Sequence, residues 1–299
     1  MSFSRDINAL HAALVPRYVA SSSRWVALAG GRSNRSWCID GRLVCKLFRP
    51  ERATSLFPND SVAEARVLTA LAGTGLAPRL VGDVETYVGH CLLYHYVRGA
   101  PLAASRDAFF RAGAALRRLH CQPIPGGLRV LRRDVAAIIE QAQALLAECE
   151  SKAASALMQN PPSGGCADDP SGVFLHGDPV PANIIDSPAG IVFIDWQCPA
   201  VGDACEDIAI FLSPAMQCLY GAGPVSDSLA DSFLAGYGAD DIIARYRIRA
   251  PFYHYRLAAY CLWQAERGAP GYEAAARAEL AKLPGIYVKT ARPRRQRQP

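Results

Sequence analysis

The chain has 299 residues, of which 51% are hydrophobic, and a formal net charge of +5. This composition is typical of a globular protein and excludes a largely disordered one, and no apolar run approaches the roughly 18 residues of a membrane span. Four of the positive charges are arginines in the last eight residues. The rest of the chain is therefore nearly neutral, and we expect no nucleic-acid binding by the folded body and no membrane insertion.

The ten cysteines contain no C-x-x-C pair and lie scattered in apolar segments. This pattern predicts reduced, mostly buried thiols. The amino terminus lacks the apolar core of a signal peptide. Together these features predict a cytoplasmic protein. Residues 291–299 are expected to form a basic, flexible tail.

Residues 1–97 carry the pattern of an antiparallel sheet with one inserted helix. Strand patterns cover residues 24–29, 34–39, 43–48, 78–84 and 90–97, and helical patterns cover 5–19 and 60–71. Asp40-Gly41 is typical of a tight hairpin. Asp60 or Ser61 is expected to cap the second helix.

Beyond residues 98–101, which we predict to be a hinge, the helical period dominates. Helices are predicted over 106–120, about 131–157, 205–219, 226–237, 241–267 and 270–282. Residues 159–172, rich in proline and glycine, are predicted to be a loop. The sequence thus predicts an α+β fold with a small antiparallel-sheet lobe and a larger, mainly helical lobe over residues 98–290.

His176-Gly177-Asp178, followed by Asn183 and by Ile194-Asp195-Trp196, is the most informative stretch. Short apolar strands joined by a turn predict a hairpin that brings Asn183 and Asp195 to the same end. Phosphoryl transfer needs one carboxylate facing the acceptor hydroxyl and hard oxygen ligands for a metal. An aspartate five residues before an asparagine, with a second aspartate after the next strand, is the spacing of a kinase catalytic loop.

On these residues the chain resembles the aminoglycoside phosphotransferase and choline kinase superfamily, in which H-G-D replaces the H-R-D of protein kinases and I-D-W or I-D-F replaces D-F-G. The resemblance extends over nearly the whole chain. It implies a two-lobed, protein-kinase-like fold with a nucleotide-binding lobe (1–97) and a catalytic and acceptor-binding lobe (98–290). It also implies ATP and Mg²⁺ as cofactors and a small-molecule hydroxyl as the acceptor.

The resemblance assigns a role to each candidate residue. Asp178 is expected to be the catalytic base, and Asn183 and Asp195 are expected to bind Mg²⁺. Lys46 would hold the α- and β-phosphates, with Glu64 positioning its side chain. The triphosphate is expected to lie on a glycine-rich turn, where glycine allows close approach of backbone N–H groups. The turn contributes Gly30, Gly31, Ser33 and Asn34.

Other residues are expected to support the catalytic loop. Asp203 and Asp207 match the G-D-x-x-x-D-L-A segment of the family, and we expect them, like His176, to act through hydrogen bonds rather than on substrate. Gln197 departs from the family, in which a carboxylate frequently follows the aromatic residue. A neutral side chain here weakens the case for a cationic acceptor.

Tyr260 and Trp263 are the candidate acceptor residues, because cation–π attraction could hold a quaternary ammonium group. Aromatic residues at helical spacing are also typical of a core. The resemblance allows choline, ethanolamine, thiamine, homoserine or an aminoglycoside as acceptor, and the glycine turn and the Trp263 helix favour an amino alcohol or vitamin.

Two other readings are disfavoured. A protein kinase would need an activation segment, which the dozen residues between Asp195 and Asp207 do not provide. A non-catalytic, nucleotide-binding pseudokinase is less well supported because every catalytic position holds a competent residue.

Overall fold

The structure is a computed structural model that describes residues 3–28, 33–164, 171–221, 223 and 225–283. Gly30, Gly31 and the predicted tail 291–299 lie outside the described residues, as does part of the predicted loop, 165–170. Within the described part of the chain no helix is both long and apolar enough to cross a membrane, and the cysteines that it contains are free thiols.

The helices are numbered in chain order. They are α1 (Phe3–Leu14), α2 (Ser61–Ala70), α3 (Arg106–His120), α4 (Val135–Leu146), α5 (Lys152–Gln159), α6 (Cys205–Leu212), α7 (Pro214–Tyr220), α8 (Asp227–Tyr237), α9 (Asp240–Glu266) and α10 (Tyr272–Leu280). The strands are β1 (Trp25–Ala27), β2 (Arg35–Ile39), β3 (Leu43–Leu47), β4 (Leu80–Thr86), β5 (Gly89–His95), β6 (Ala100–Pro101), β7 (Arg129–Val130), β8 (Val173–Leu175), β9 (Ile184–Ser187), β10 (Gly190–Phe193) and β11 (Ala200–Gly202).

The amino-terminal part is an antiparallel sheet in the order β1-β2-β3-β5-β4. Because side chains alternate between the faces of a strand, Cys45 and Leu47 of β3 pack with α1, whereas Val44 lies in the cluster that contains α2. Lys46 shares the α2 face with Val44. The predicted five-stranded lobe with one inserted helix, and the α+β, kinase-like fold class, are confirmed.

Local signals place the turns and caps of this lobe. Asp40 and Gly41 both have positive φ, of 52° and 64°, as a tight hairpin between β2 and β3 requires. The Asp60 carboxylate accepts a hydrogen bond from the Ala63 amide and caps α2. The predicted helix over 5–19 is shorter, because Pro16 cannot continue α1 past its end at Leu14.

The predicted hinge contains a strand. Ala100 and Pro101 of β6 pair with Asp186 and Ile185 of β9, in a sheet of order β10-β9-β6. The segment between the lobes is therefore fastened directly to the predicted catalytic hairpin.

Two predicted helices of the larger lobe are wrong as single elements. The pattern over 131–157 forms α4 and α5, because Ser151 caps a new helix and Glu266 accepts hydrogen bonds from the Glu150 and Ser151 amides. The pattern over 205–219 divides at Ser213, which caps α7, because Pro214 lacks the N–H needed inside a helix. The four remaining predicted helices match α3, α8, α9 and α10.

The main apolar cluster runs across both lobes. It joins Val44, Phe48 and the buried face of α2 to α3, α8 and the first half of α9. A second cluster packs α4, α5, α7 and α10 around the other half of α9. The catalytic hairpin lies against the first cluster through Ile184 and Phe193.

Candidate active site

Lys46 lies at the centre of a buried charge cluster. Its Nζ is 2.5 Å from Glu64 Oε2 and also donates to Asp195 Oδ1. Burial alone would lower the pKa of Lys46, but the charges of Asp195 and Glu64 outweigh burial and raise the pKa above its ordinary value. The lysine is therefore a fixed cation, and Glu64 holds it from the first turn of α2.

The β9–β10 hairpin brings the other predicted residues together. Ile184 pairs with Phe193, and the Ile194 amide donates to the Asn183 carbonyl at 2.9 Å, so Asn183 and Asp195 lie at the same end. The side-chain nitrogen of Asn183, Nδ2, donates to the Asp178 carbonyl oxygen at 3.0 Å and to Asp178 Oδ2 at 3.3 Å. The structure thus joins Asp178, Asn183, Asp195, Lys46 and Glu64 in one continuous set of contacts.

The surroundings of Asp178 favour the protonated form of its carboxyl group. The pKa of its carboxyl is raised well above the usual range, first by burial and then by the negative charges of Asp195 and Asp207. A raised pKa strengthens the affinity of the carboxylate for a proton.

Buried hydrogen bonds hold the loop that carries Asp178. The two carboxylate oxygens of Asp207 accept from the His176 and Gly177 amides, each at 2.8 Å. His176 Nε2 donates to the Ile194 carbonyl at 3.1 Å, and Nδ1 accepts from the Asp178 amide at 3.2 Å. Acceptance at Nδ1 requires a neutral imidazole, and burial lowers the pKa of His176 accordingly. His176 and Asp207 thus make hydrogen bonds of the kind that was predicted for them.

Backbone geometry restricts two positions of the loop. Gly177 has φ of 81°, and a Cβ there would lie 2.0 Å from the Cys198 carbonyl oxygen, so no larger residue fits. Asp195 has φ of 62°, a left-handed conformation that costs energy for a residue with a Cβ and is concentrated at functional sites.

The donor groups fit a magnesium ion. The side-chain nitrogen of Asn183 donates to Asp178, which leaves the side-chain oxygen, Oδ1, available as a metal ligand. Asp195 uses Oδ1 for Lys46, and its side chain is 31% exposed. A carboxylate and an amide oxygen are the hard ligands that Mg²⁺ takes.

The described end of the glycine-rich turn packs against Gln197. Asn34 Nδ2 donates to Gln197 Oε1 at 2.7 Å and to Asn59 Oδ1 at 2.8 Å, while Asn34 Oδ1 accepts from the Arg49 amide and from Asn59 Nδ2. Both polar atoms of the Asn34 side chain thus make hydrogen bonds within the protein, so only the backbone of Asn34 is available to a phosphate. Gln197 Nε2 also reaches Ser33 Oγ, at 3.4 Å.

Asp178 lies on the wall of a cavity of about 700 Å³, termed here the Asp178 cavity. Ser33, Gln197, Tyr260 and Trp263 lie on the same wall. No sequence motif marks the other residues of the wall, so they could not be predicted from the sequence. These residues include Arg52, Thr54, Phe57, Tyr220, Arg267 and Tyr272.

Tyr260 and Trp263 line this cavity from α9. Tyr260 is 4% exposed and packs edge-on against Phe57 and Tyr272. Trp263 carries a cation already, because the guanidinium carbon of Arg267 lies 3.9 Å from the centre of a Trp263 ring. The two candidate acceptor residues thus line one cavity, and the cation over Trp263 is an arginine of the chain itself.

Comparison with known proteins identifies the family. The model of the phosphotransferase enzyme family matches residues 24–252. No curated protein matches the chain.

Three solved structures share the fold. A choline/ethanolamine kinase family protein from Mesorhizobium loti is 18% identical, with a TM-score of 0.64, over 94% of this chain and 93% of its own. The choline kinase from Cryptosporidium parvum Iowa II is 13% identical, with a TM-score of 0.64, over 94% and 95%. The GDP complex of wild-type aminoglycoside 2'-phosphotransferase-IIIa is 15% identical, with a TM-score of 0.66, over 95% and 100%. The chain belongs to the phosphotransferase enzyme family and is a small-molecule kinase.

Proposed function

We propose that the chain transfers the γ-phosphoryl group of ATP, bound with Mg²⁺, to a hydroxyl group of a small molecule held in the Asp178 cavity. One observation carries the proposal. The Asp178 carboxylate lies on the cavity wall and also contacts Asn183, next to the charge cluster of Lys46 and Asp195. A single carboxylate therefore connects a place for the acceptor with a place for the phosphates.

Each residue has a role in this reaction. Asp178 orients the acceptor hydroxyl and takes its proton as the new phosphoester bond forms. Lys46, fixed as a cation by Glu64, holds the α- and β-phosphates. Mg²⁺ bound to Asn183 and Asp195 supplies positive charge that offsets the charge on the β- and γ-phosphate oxygens. The backbone of the turn before Ser33 is expected to approach the triphosphate.

The cavity is large enough for any of the acceptors that the sequence allows, an amino alcohol or vitamin such as choline, ethanolamine or thiamine among them. An aminoglycoside or homoserine is the alternative acceptor. GTP is the alternative nucleotide, since the aminoglycoside phosphotransferase compared above was solved with GDP. A cytoplasmic location stays a prediction.

The test is a nucleoside diphosphate release assay on purified protein with ATP or GTP, with and without Mg²⁺. The acceptor panel contains amino alcohols, vitamins, hydroxy acids and aminoglycosides. We expect release that depends on both the acceptor and Mg²⁺. If MgATP binds but no acceptor stimulates release above slow hydrolysis, a non-catalytic nucleotide-binding role replaces the proposal.

A further inference from the structure

We propose that Arg267 and Arg52 make the Asp178 cavity selective for an alcohol that also carries an anionic group, such as a carboxylate, and make it reject cationic alcohols. The inference rests on the proposed kinase function and names the chemical class of its acceptor. It concerns the part of the cavity wall formed by α9 and by the short turn Pro50–Arg52.

Arg267 and Trp263 are held together as one unit. The Arg267 guanidinium stacks on the indole at 3.9 Å from a ring centre, and its Nη1 donates to the Trp263 carbonyl at 3.1 Å. Glu148 Oε2 accepts from both residues, from Arg267 Nη2 at 2.7 Å and from Trp263 Nε1 at 2.8 Å. Glu148 thereby orients the pair without itself lining the cavity.

This arrangement removes the attraction that a cationic acceptor would need. Cation–π attraction requires a cation over the face of the ring, and Arg267 occupies a face of Trp263. A ligand cation at the wall would instead meet the Arg267 guanidinium, whose ion-pair partner Glu148 does not line the cavity. The guanidinium has five N–H donors, and the two bonds above leave others for an anionic ligand.

The remaining charges on the wall support the same conclusion. The side chain of Arg52 is exposed and makes no hydrogen bond or ion pair with any residue that the structure describes, although its charge acts on Glu51. Glu51 is paired with Arg49, whose Nη2 lies 2.8 Å from Glu51 Oε1. Asp178 is needed for the reaction itself. Of the two carboxylates on the described wall, one is thus paired with an arginine and the other takes part in the reaction.

Gln197 is a neutral residue at a wall position where the family frequently has a carboxylate. Its neutral amide follows Trp196 and is 4% exposed, with its oxygen accepting from Asn34. An arginine pairs with a carboxylate through parallel hydrogen bonds that also fix orientation. Two arginines on the wall thus favour an acceptor with an anionic group away from its reacting hydroxyl.

The test uses three probes of equal chain length that differ in one end group. They are 4-hydroxybutanoate, butane-1,4-diol and 4-aminobutan-1-ol. Acceptor-stimulated ADP release gives kcat/KM for each, and thermal stabilisation in the presence of Mg²⁺ and a non-hydrolysable ATP analogue gives binding separately. Wild-type protein should prefer the anionic to the cationic probe by at least about fivefold in both measurements, as one partly exposed charge pair allows.

The variants assign the preference to residues. Arg267→Gln should reduce the ratio by about fivefold, and Arg267→Lys should retain the direction of the preference. Arg52→Gln should reduce it independently and serves as the second variant if Arg267→Gln does not fold. Arg277→Gln makes the same charge change on an exposed face of α10 outside the cavity wall and should leave the ratio unchanged.

The outcomes separate this inference from the proposed function. Turnover that favours the cationic probe, or a ratio unchanged in both Arg267→Gln and Arg52→Gln, overturns the inference and leaves the kinase function standing. Selective, arginine-dependent binding of the anionic probe, in protein that transfers phosphate neither to the probes nor to any acceptor of the panel, supports the inference and contradicts the proposed reaction. Failure of all three probes to bind or react also counts against the inference.

Discussion

Asp178 is the residue on which the chemistry depends. It touches the cavity and accepts a hydrogen bond from Asn183, and its pKa is raised by burial and by two neighbouring aspartates. The Asp207 carboxylate fixes the preceding peptides, so the position of Asp178 depends little on its own side chain.

Asp178→Asn should therefore retain the fold and lower kcat by at least about 100-fold, the usual contribution of a general base. The MgATP affinity should change little, because Asp178 contacts the acceptor side of the site. Steady-state kinetics and thermal stabilisation by MgATP give the two quantities. Full turnover in the variant would show that another group takes the proton.

Asp195→Ala should abolish the Mg²⁺-dependent stabilisation of the protein by ATP, because a ligand that binds the folded state raises its stability by mass action. Lys46→Ala should have the same effect through loss of phosphate binding. Asp186→Ala removes a carboxylate from the same hairpin, outside the site, and should keep the response. Normal stabilisation of Asp195→Ala by MgATP would place the metal elsewhere.

The sequence predicted the parts of the site that lie close together along the chain. The spacing of Asp178, Asn183 and Asp195 follows from one hairpin, and Lys46 with Glu64 follows from a strand and the next helix. That Arg52 and Arg267 line one cavity could not be predicted, because tertiary packing alone brings the Pro50–Arg52 turn and the end of α9 to it. Their side chains carry no local signal of a shared cavity.

At the scale of elements, the helix boundaries show where periodicity misleads. The apolar period continues through 131–157 and 205–219, but Ser151, Ser213 and Pro214 start new helices there. Capping and proline geometry therefore decide the breaks that hydrophobic spacing does not reveal. In contrast, the predicted and observed bounds of α3 agree. Ser105 caps its first turn, and the amphipathic pattern ends where the helix ends.

Helices α3 and α8 cross closely through two glycines. A Cβ at Gly236 would lie 1.9 Å from the Phe110 carbonyl oxygen, and one at Gly113 would lie 2.1 Å from the Phe233 carbonyl oxygen. Both obstacles are backbone atoms, so the helices would have to separate.

Gly236→Ala should lower the free energy of unfolding by at least about 1 kcal/mol, since the overpacking outweighs the helix propensity gained by alanine. The melting temperature should fall by about 2–4 °C per kcal/mol. Gly126→Ala is the control, because a Cβ at Gly126 has no atom within 4 Å. An unchanged melting temperature for Gly236→Ala would mean that the helices lie further apart.

A pH-dependent contact joins α3 to the catalytic hairpin. Arg111 donates to both oxygens of Asp186 at 2.6 Å, and these hydrogen bonds lower the pKa of the Asp186 carboxyl. Because the folded-state pKa lies below the unfolded value of about 3.9, the contribution to stability is present above that value. It is lost as the pH falls through the folded-state pKa.

Arg111→Gln should therefore reduce stability near pH 7, by at most about 1 kcal/mol because the Arg111 side chain is 39% exposed. The difference from wild type should shrink as the pH falls below about 4. Urea unfolding over this pH range measures it. Arg118→Gln is the control, because it loses a hydrogen bond to the Thr74 carbonyl, which does not titrate. If its difference from wild type depended on pH as strongly, the effect could not be assigned to Asp186.

For the whole molecule, the two lobes are joined through the site. Lys46 and Glu64 come from the sheet lobe. Asp178, Asn183 and Asp195 come from the segments on either side of the β9–β10 hairpin, which is fastened to the connecting strand β6. One apolar cluster extends across both parts. The predicted lobe boundary between residues 97 and 98 stays a prediction. The general arrangement followed from the order of strand and helix patterns, whereas this shared cluster depends on contacts between distant segments.

Transfer of radiolabel from [γ-³²P]ATP to a hydroxylated small molecule tests the central claim most directly. With Mg²⁺ and the acceptor panel, the wild-type protein should form a labelled phosphoester, and Asp178→Asn should form at least about 100-fold less per unit time. Binding of MgATP by the wild-type protein with no label in any acceptor, or equal labelling by Asp178→Asn, would contradict the account.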